Sequence, residues 1–317
     1  MDLVRKDNVD ILKIENHILT DGKTLPLLTF PLLENSGIVR HCVTMRPGVG
    51  SEGILSALNL SFTRGDDPDH VRENYRRLAE ALGVDLERIV CSDQTHTTNV
   101  RVVAEADAGK GVVRPKDYTD VDGLITNVPG LTLATFYADC VPLYFVDPVH
   151  RAIGLSHSGW RGTVCRMGEK TLEAMAENYG TRPEEVLCAI GPSICQDCYE
   201  VSADVAEAFA EEFAGHEEEI LKPRGFAGHE TGNIKPRGYC MIPGQEEMKS
   251  GVIPGRKYLL DLWRANEIVL LEAGVLQEHL SVTDICTCCN PELLFSHRAS
   301  HGKRGNLGAF LSLSEVV

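Results

Sequence analysis

Residues 123–157 read GLITNVPGLTLATFYADCVPLYFVDPVHRAIGLSH, and this stretch decides the fold. Three apolar runs, LTLATFY (131–137), PLYFV (142–146) and AIGLSH (152–157), are separated by short polar breaks. Runs this short, rich in β-branched and aromatic side chains and bounded by Pro, Gly and Asp, predict strands rather than helices. A helix is predicted next, from about Thr163 to Asn178, on the pattern of Val164, Met167, Leu172, Met175 and Ala176. Upstream, RIVCSD reads as a strand running into His96. Before it stands a helix with Asp67 as N-cap, Pro68 at its first position, an apolar stripe of Val71, Tyr75, Leu78 and Leu82, and Gly83 as its stop. The opening runs VDILKIEN, LPLLTFPLL and GIVRHCVTM predict further strands, followed by a Gly-rich turn in RPGVGSEG. Downstream come a strand in VLCAIG, the loop PSICQDCYEV and a helix capped by Ser202. Another helix starts at Asp261 and ends at Gly274, and LLFSH and GNLGAFLSL predict two closing strands. Residues 214–257, rich in Gly, Pro and charge with an isolated echo of KPRGF and KPRGY, predict a loop insertion. The expected architecture is α/β, a single layered domain over residues 1–317 with mixed sheets flanked by helices.

Composition narrows the function classes. A formal net charge of −15 opposes general binding to polyphosphate backbones, so no nucleic-acid partner is expected. No apolar run is long enough to suggest a membrane span, and MDLVRKDNVDILKIENH is too polar for a signal peptide. Eleven cysteines without an export signal are expected to be reduced thiols in the cytoplasm.

The chemistry concentrates at three strand-to-loop junctions: His96 in QTHTTNV, Cys140 in YADCVP and His157 in SHSGWRG. Two imidazoles and a thiolate are donors zinc favours, and three protein ligands leave a position open for water or substrate. Each residue alone is more often an ordinary packed side chain. Asp139, beside Cys140, reads as a group supporting a metal ligand from behind, as a general acid/base or as a turn aspartate bonding nearby amides, and Asp122 in DVDGLIT carries the same ambiguity. In HSGWRGT the start of a helix and Arg161 could hold an anion, or Arg161 could pair with a structural carboxylate. Cys195 with Cys198, and Cys286 with Cys289, form two CxxC pairs that could bind a structural zinc; packed free thiols are the more economical reading. His216, His229 and Cys240 in the insertion have no metal-like spacing.

These motifs carry a resemblance. QTHTTNV, DVDGLITNVPGLTLATFYADCVPLYFVD, HSGWRGT, AIGPSICQDCYEV and CTCCNPELLFSHR resemble, in order, the laccase-domain family. That family is long described as multicopper polyphenol oxidase-like and later as zinc-dependent purine nucleoside phosphorylases, with the quality-control name peptidoglycan editing factor. The resemblance implies His96, Cys140 and His157 as zinc ligands and a fold similar to the catalytic domain of a cytotoxic necrotising factor. It implies phosphorolysis of adenosine, inosine, guanosine or methylthioadenosine to base and ribose-1-phosphate, with adenosine deamination as a side activity. A purine nucleoside and phosphate are then the small-molecule partners. Arg46, in MRPGVGS, falls on a family arginine, which implies a part in holding phosphate or ribose; with it, Asp139 and Arg161 are the catalytic candidates, and Arg46, Arg161 and Arg298 the substrate-binding ones. Two departures stand out. Ser158 replaces the usual alanine, and Ala299 follows Arg298 where the family carries a second arginine, leaving Lys303 or Arg304 as substitutes. Copper-dependent phenol oxidation is an alternative, although the chain has no HxH pair. A role in peptidoglycan-precursor quality control without this chemistry is another.

Overall fold

The computed structural model describes residues 2–7, 11–48, 50–224, 252–253 and 255–315. A first sheet has the spatial order β1 (Lys13–Ile18), β2 (Thr24–Thr29), β3 (Val39–Thr44), β15 (Leu307–Leu313), β7 (Thr132–Tyr137) and β4 (Ile89–Cys91). A second runs β14 (Leu280–Val282), β10 (Leu187–Ile190), β8 (Val141–Asp147), β9 (Ala152–Ser158), β6 (Gly123–Thr126) and β5 (Val100–Val102). Both are mixed, with parallel pairs at β4–β7, β5–β6 and β10–β14. A small third sheet joins β11 (Glu200–Val201), β13 (Tyr258–Leu260) and β12 (Leu221–Pro223). The helices are α1 (Pro31–Glu34), α2 (Pro68–Leu82), α3 (Trp160–Val164), α4 (Met167–Tyr179), α5 (Ala203–Glu212), α6 (Glu217–Ile220) and α7 (Leu262–Glu272). Among the described residues, no helix is long and apolar enough to cross a membrane.

The two large sheets face each other, and helices cover their outer faces. Tyr144, Ile153 and Leu155 of the second sheet pack against Val43, Leu133 and Leu311 of the first. Their alternating neighbours Leu143, Phe145 and Ala152 point the other way, into a cluster with Leu172 and Met175 of α4 and Val269 of α7. Burial on both faces is why the 123–157 stretch reads as continuous apolar runs instead of an alternating pattern. On the far side Val71, Tyr75 and Leu78 of α2 meet Leu27, Cys42, Ala134 and Phe310.

The predicted boundaries of α2 hold: the Asp67 carboxylate accepts from the Asp69 amide at 2.8 Å, and Gly83 closes the helix in the left-handed region at φ 67°. Asp261 caps α7 in the same way, through the Arg264 amide. Elsewhere tertiary contacts override the local pattern. The helix expected over 163–178 is split in two at Arg166, which sits at φ 60° while its guanidinium reaches Glu169, Glu212 and Glu272 on α4, α5 and α7. Within LPLLTFPLL, Pro31 starts the short α1 instead of continuing the strand. LLFSH forms turns: the Leu293 and Leu294 amides return to the Asn290 carbonyl, driving Leu294 and Phe295 into the core. Ser202 precedes α5 without a side-chain cap. Of the expected insertion, 217–223 is ordered as α6 and β12. Residues 225–251 and 254, with His229 and Cys240, lie outside the described residues.

Candidate functional site

Sheet register brings the three junctions together. In the β8–β9 hairpin Val141 pairs with Ser158, so Cys140, one residue earlier, comes up against Gly159. Along β6–β9, Gly123 pairs with Ser156, which sets Asp122 beside His157; the His157 amide donates to the Asp122 carbonyl at 2.8 Å. The loop after β4 is fastened by the Asp93–Val121 bridge and delivers His96 to the same point. One ligand atom from each of His96, Cys140 and His157 lies within 4.8 Å of the others. Cys140 Sγ is 3.9 Å from His96 Nε2. A Cβ at Gly159 would meet His96 Cδ2 at 2.9 Å and Cys140 Sγ at 3.1 Å. Only glycine leaves room there for the triad.

Asp122 organises the cluster. Fully buried, its carboxylate accepts the Thr95, His96 and Thr97 amides at 3.0, 3.1 and 3.0 Å, the Thr97 hydroxyl at 3.1 Å and His157 Nδ1 at 2.8 Å. These amides hold His96 in the left-handed region at φ 68°, a conformation that costs a non-glycine residue about 1 kcal/mol or more. Burial opposes ionisation of Asp122, but the His157 hydrogen bond and charge, with the loop amides, hold its carboxyl at about 2. The bond at Nδ1 also fixes the ring of His157 and leaves Nε2 as its ligand atom. For Cys140, burial again opposes charge, yet His157 and His96 bring the thiol down to about 6. The buried His157 is raised to about 9, since the Cys140 charge and Asp122 outweigh desolvation. A thiolate, two imidazoles and a carboxylate bonded to the remote imidazole nitrogen are a set of groups that suits a transition-metal ion.

A cavity of about 660 Å³ opens onto this triad. Its wall includes Arg64, Arg72, Lys116 and Arg304, with Phe62 and Phe136 as aromatic surfaces. Burial, then the charge of Arg64, lowers the Arg304 guanidinium to about 10, and its buried Nε has no hydrogen-bond partner. Such a group favours an anionic neighbour. Of the two candidates for the missing arginine, Arg304 lines the cavity and Lys303 does not.

The other expected site residues scatter. Arg46 does not line the cavity: Nε and Nη1 donate to the Ser56 and Pro291 carbonyls, both at 2.7 Å, and the guanidinium covers Phe295. Arg161 is exposed on α3, stacked 4.3 Å over its neighbour Trp160, and also outside the cavity wall. Asp139, at φ 86°, has both oxygens engaged, one by the Thr287 hydroxyl at 2.7 Å and the other by the Arg298 amide at 2.6 Å. The Arg298 side chain donates to the Cys198 and Glu200 carbonyls. Sequence reasoning passed over Arg64, in SFTRGDD, and left Asp122 ambiguous.

The two cysteine pairs, expected as packed free thiols, are free thiols that converge on one another. Cys195, Cys198, Cys286 and Cys289 place their sulfurs within 4.8 Å of one another.

Fold and triad together define a metal-site α/β protein, and comparison with known proteins makes this specific. The family model described as "Multi-copper polyphenol oxidoreductase laccase" matches residues 40–237 and 240–314, and the chain belongs to that family. It is 35% identical over 277 residues to the purine nucleoside phosphorylase YlmD of Geobacillus stearothermophilus, covering 86% of this chain and 89% of the relative. It is 31% identical to an adenosine deaminase, RL5, from an unknown prokaryotic organism, covering 80% and 86%. The crystal structure of a Bacillus licheniformis hypothetical protein, YfiH, superposes with a TM-score of 0.77 at 28% identity, covering 91% of this chain and 96% of that one.

Proposed function

We propose that this enzyme cleaves purine nucleosides by phosphorolysis at a zinc centre held by His96, Cys140 and His157, releasing the base and ribose-1-phosphate. The observation that carries the reading is the single cavity holding both the triad and the Arg64–Arg304 pair. Zinc bound there would supply Lewis acidity at an exchangeable position. Arg64 and Arg304 take up phosphate as charge-assisted donors, and the unpartnered Nε of Arg304 is one such donor. This moves the anion site away from Arg161 and Arg46. Asp122 holds the ligand geometry, and Asp139 is a positioning residue that fixes the backbone of Arg298 next to Cys140. Phe62 and Phe136 offer apolar faces for a purine. Adenosine, inosine, guanosine and methylthioadenosine are the substrates to compare, with deamination of adenosine as a side activity favoured when water occupies the place of phosphate.

A copper oxidase reading has less support. Among the described residues the two metal-ligand clusters are a two-His, one-Cys set and an all-cysteine set, and neither resembles the paired-histidine sites of a laccase. The deciding experiment follows ribose-1-phosphate from inosine with and without phosphate, in the wild type and in folded Cys140→Ala and Arg304→Met variants. Phosphate-dependent product that Cys140→Ala abolishes, with a raised phosphate KM in Arg304→Met, is expected. Unchanged turnover in Cys140→Ala refutes the proposal.

A further inference from the structure

We propose that Cys195, Cys198, Cys286 and Cys289 form a second metal centre, a closed tetrathiolate site that takes one zinc-like ion and ties together two loops beside the first centre. The fold aims these residues at one another. Strands β10 and β14 run parallel, with Cys188 opposite Leu280 and Ile190 opposite Val282, so the loops that follow them leave the same end of the sheet. Pairing continues beyond the strands: the Thr283 amide donates to the Ile190 carbonyl at 2.9 Å, Ser193 bridges to Cys286, and the Thr287 amide donates to the Ser193 carbonyl at 3.1 Å. Each loop then presents a CxxC pair.

The geometry is that of a mononuclear site. A tetrahedron with metal–sulfur bonds of about 2.3 Å has sulfur–sulfur edges of about 3.8 Å. Here Cys198 Sγ lies 3.6 Å from Cys289 Sγ, and the whole set falls within 4.8 Å. An amide donor to sulfur accompanies it: the Cys195 amide donates to Cys286 Sγ at 3.2 Å, while the Cys198 amide closes the turn on the Cys195 carbonyl at 3.1 Å. Such a donor helps spread the negative charge of four thiolates, and Lys6 reaches the same loop, paired with Asp197 at 3.0 Å. Cys195 and Cys286 are 3% and 0% exposed, so four crowded sulfurs in this position gain strongly from a shared cation. Four protein ligands leave no open position, which makes the role structural. The tied loops carry Thr287, which bonds Asp139, and the Cys198 carbonyl, which receives Arg298. A metal here therefore sets the backbone that stands behind Cys140.

The test separates the two centres. The full-length His96→Ala/Cys140→Ala variant, purified without added metal, is expected to retain one equivalent of zinc per chain, with an X-ray absorption spectrum of four sulfurs at about 2.3 Å. Its cobalt form is expected to show the intense thiolate bands of a tetrahedral S₄ site. A Cys198→Ser/Cys289→Ser variant is expected to lose that equivalent, to expose its remaining thiols to alkylation, and to melt at a lower temperature. If it fails to fold, the spectrum of the first variant still decides. A metal-free His96→Ala/Cys140→Ala protein, with these four cysteines either freely alkylated or paired as disulfides, overturns the proposal. None of these readouts depends on nucleoside turnover.

Discussion

Replacing Asp122 by asparagine tests the logic of the first centre most directly. Its carboxylate accepts five hydrogen bonds, with Oδ1 taking His96 N and His157 Nδ1 and Oδ2 taking the Thr95 and Thr97 amides and the Thr97 hydroxyl. Asparagine can keep an acceptor on only one side. With its oxygen at the three-donor position, its NH₂ faces two N–H groups, and His157 can relieve the conflict only by moving its proton from Nδ1 to Nε2. That proton then occupies the nitrogen the metal needs. Hydrogen bonds to a charged acceptor contribute about 1.5–3 kcal/mol each, so losing two and regaining one ordinary bond of about 1 kcal/mol costs about 2–5 kcal/mol. A ligand whose outer partner is removed typically loses about 10–100-fold in metal affinity. The assay is chelator competition for the zinc equivalent that Cys140→Ala removes, alongside urea unfolding of the metal-free protein. Unchanged zinc affinity in a folded Asp122→Asn variant would show that this carboxylate does not orient His157.

Three further outcomes are expected. Gly159→Ala, whose Cβ would press on His96 and Cys140, abolishes zinc binding at the first centre, and a variant that still binds it at wild-type affinity contradicts the close approach. Arg46→Met costs about 2 kcal/mol of stability through the two abandoned carbonyls while phosphate KM stays the same; a many-fold rise in that KM would restore Arg46 to the binding site. Burial holds His41 at about 4, against 6.5 when exposed, and its Nε2 accepts the Phe30 amide at 2.8 Å. A lowered folded value favours the neutral ring, so its contribution is complete above pH 6.5 and is lost as pH falls through about 4, amounting to about 3 kcal/mol. In urea titrations His41→Gln should flatten the acid-side decline by about one proton, and an identical slope would exclude His41 as its source.

Much of the fold was legible along the chain because the signals are local. Asp67, Pro68 and Gly83 bound α2 through contacts within a turn of the helix, and the apolar runs at 131–137, 142–146 and 152–157 became β7, β8 and β9. Arg166 was not legible, since carboxylates on three helices decide it together, and LLFSH was misread because its apolar run hides a turn closed on the Asn290 carbonyl. The same division runs through the site. Residue type and junction position marked His96, Cys140 and His157 as donors, because a donor atom's chemistry belongs to the side chain itself, but only the surrounding motifs raised them above ordinary packed side chains. Where a guanidinium ends up does not. Long flexible side chains take whichever carbonyl, ring or cavity the assembled loops present, so Arg46 and Arg161 faced elsewhere and Arg64 and Arg304 took the cavity wall. The two CxxC pairs show the point most clearly. Each was visible alone, but only the parallel pairing of β10 with β14 makes them neighbours, since sequence records spacing within a loop and sheet register decides which loops meet.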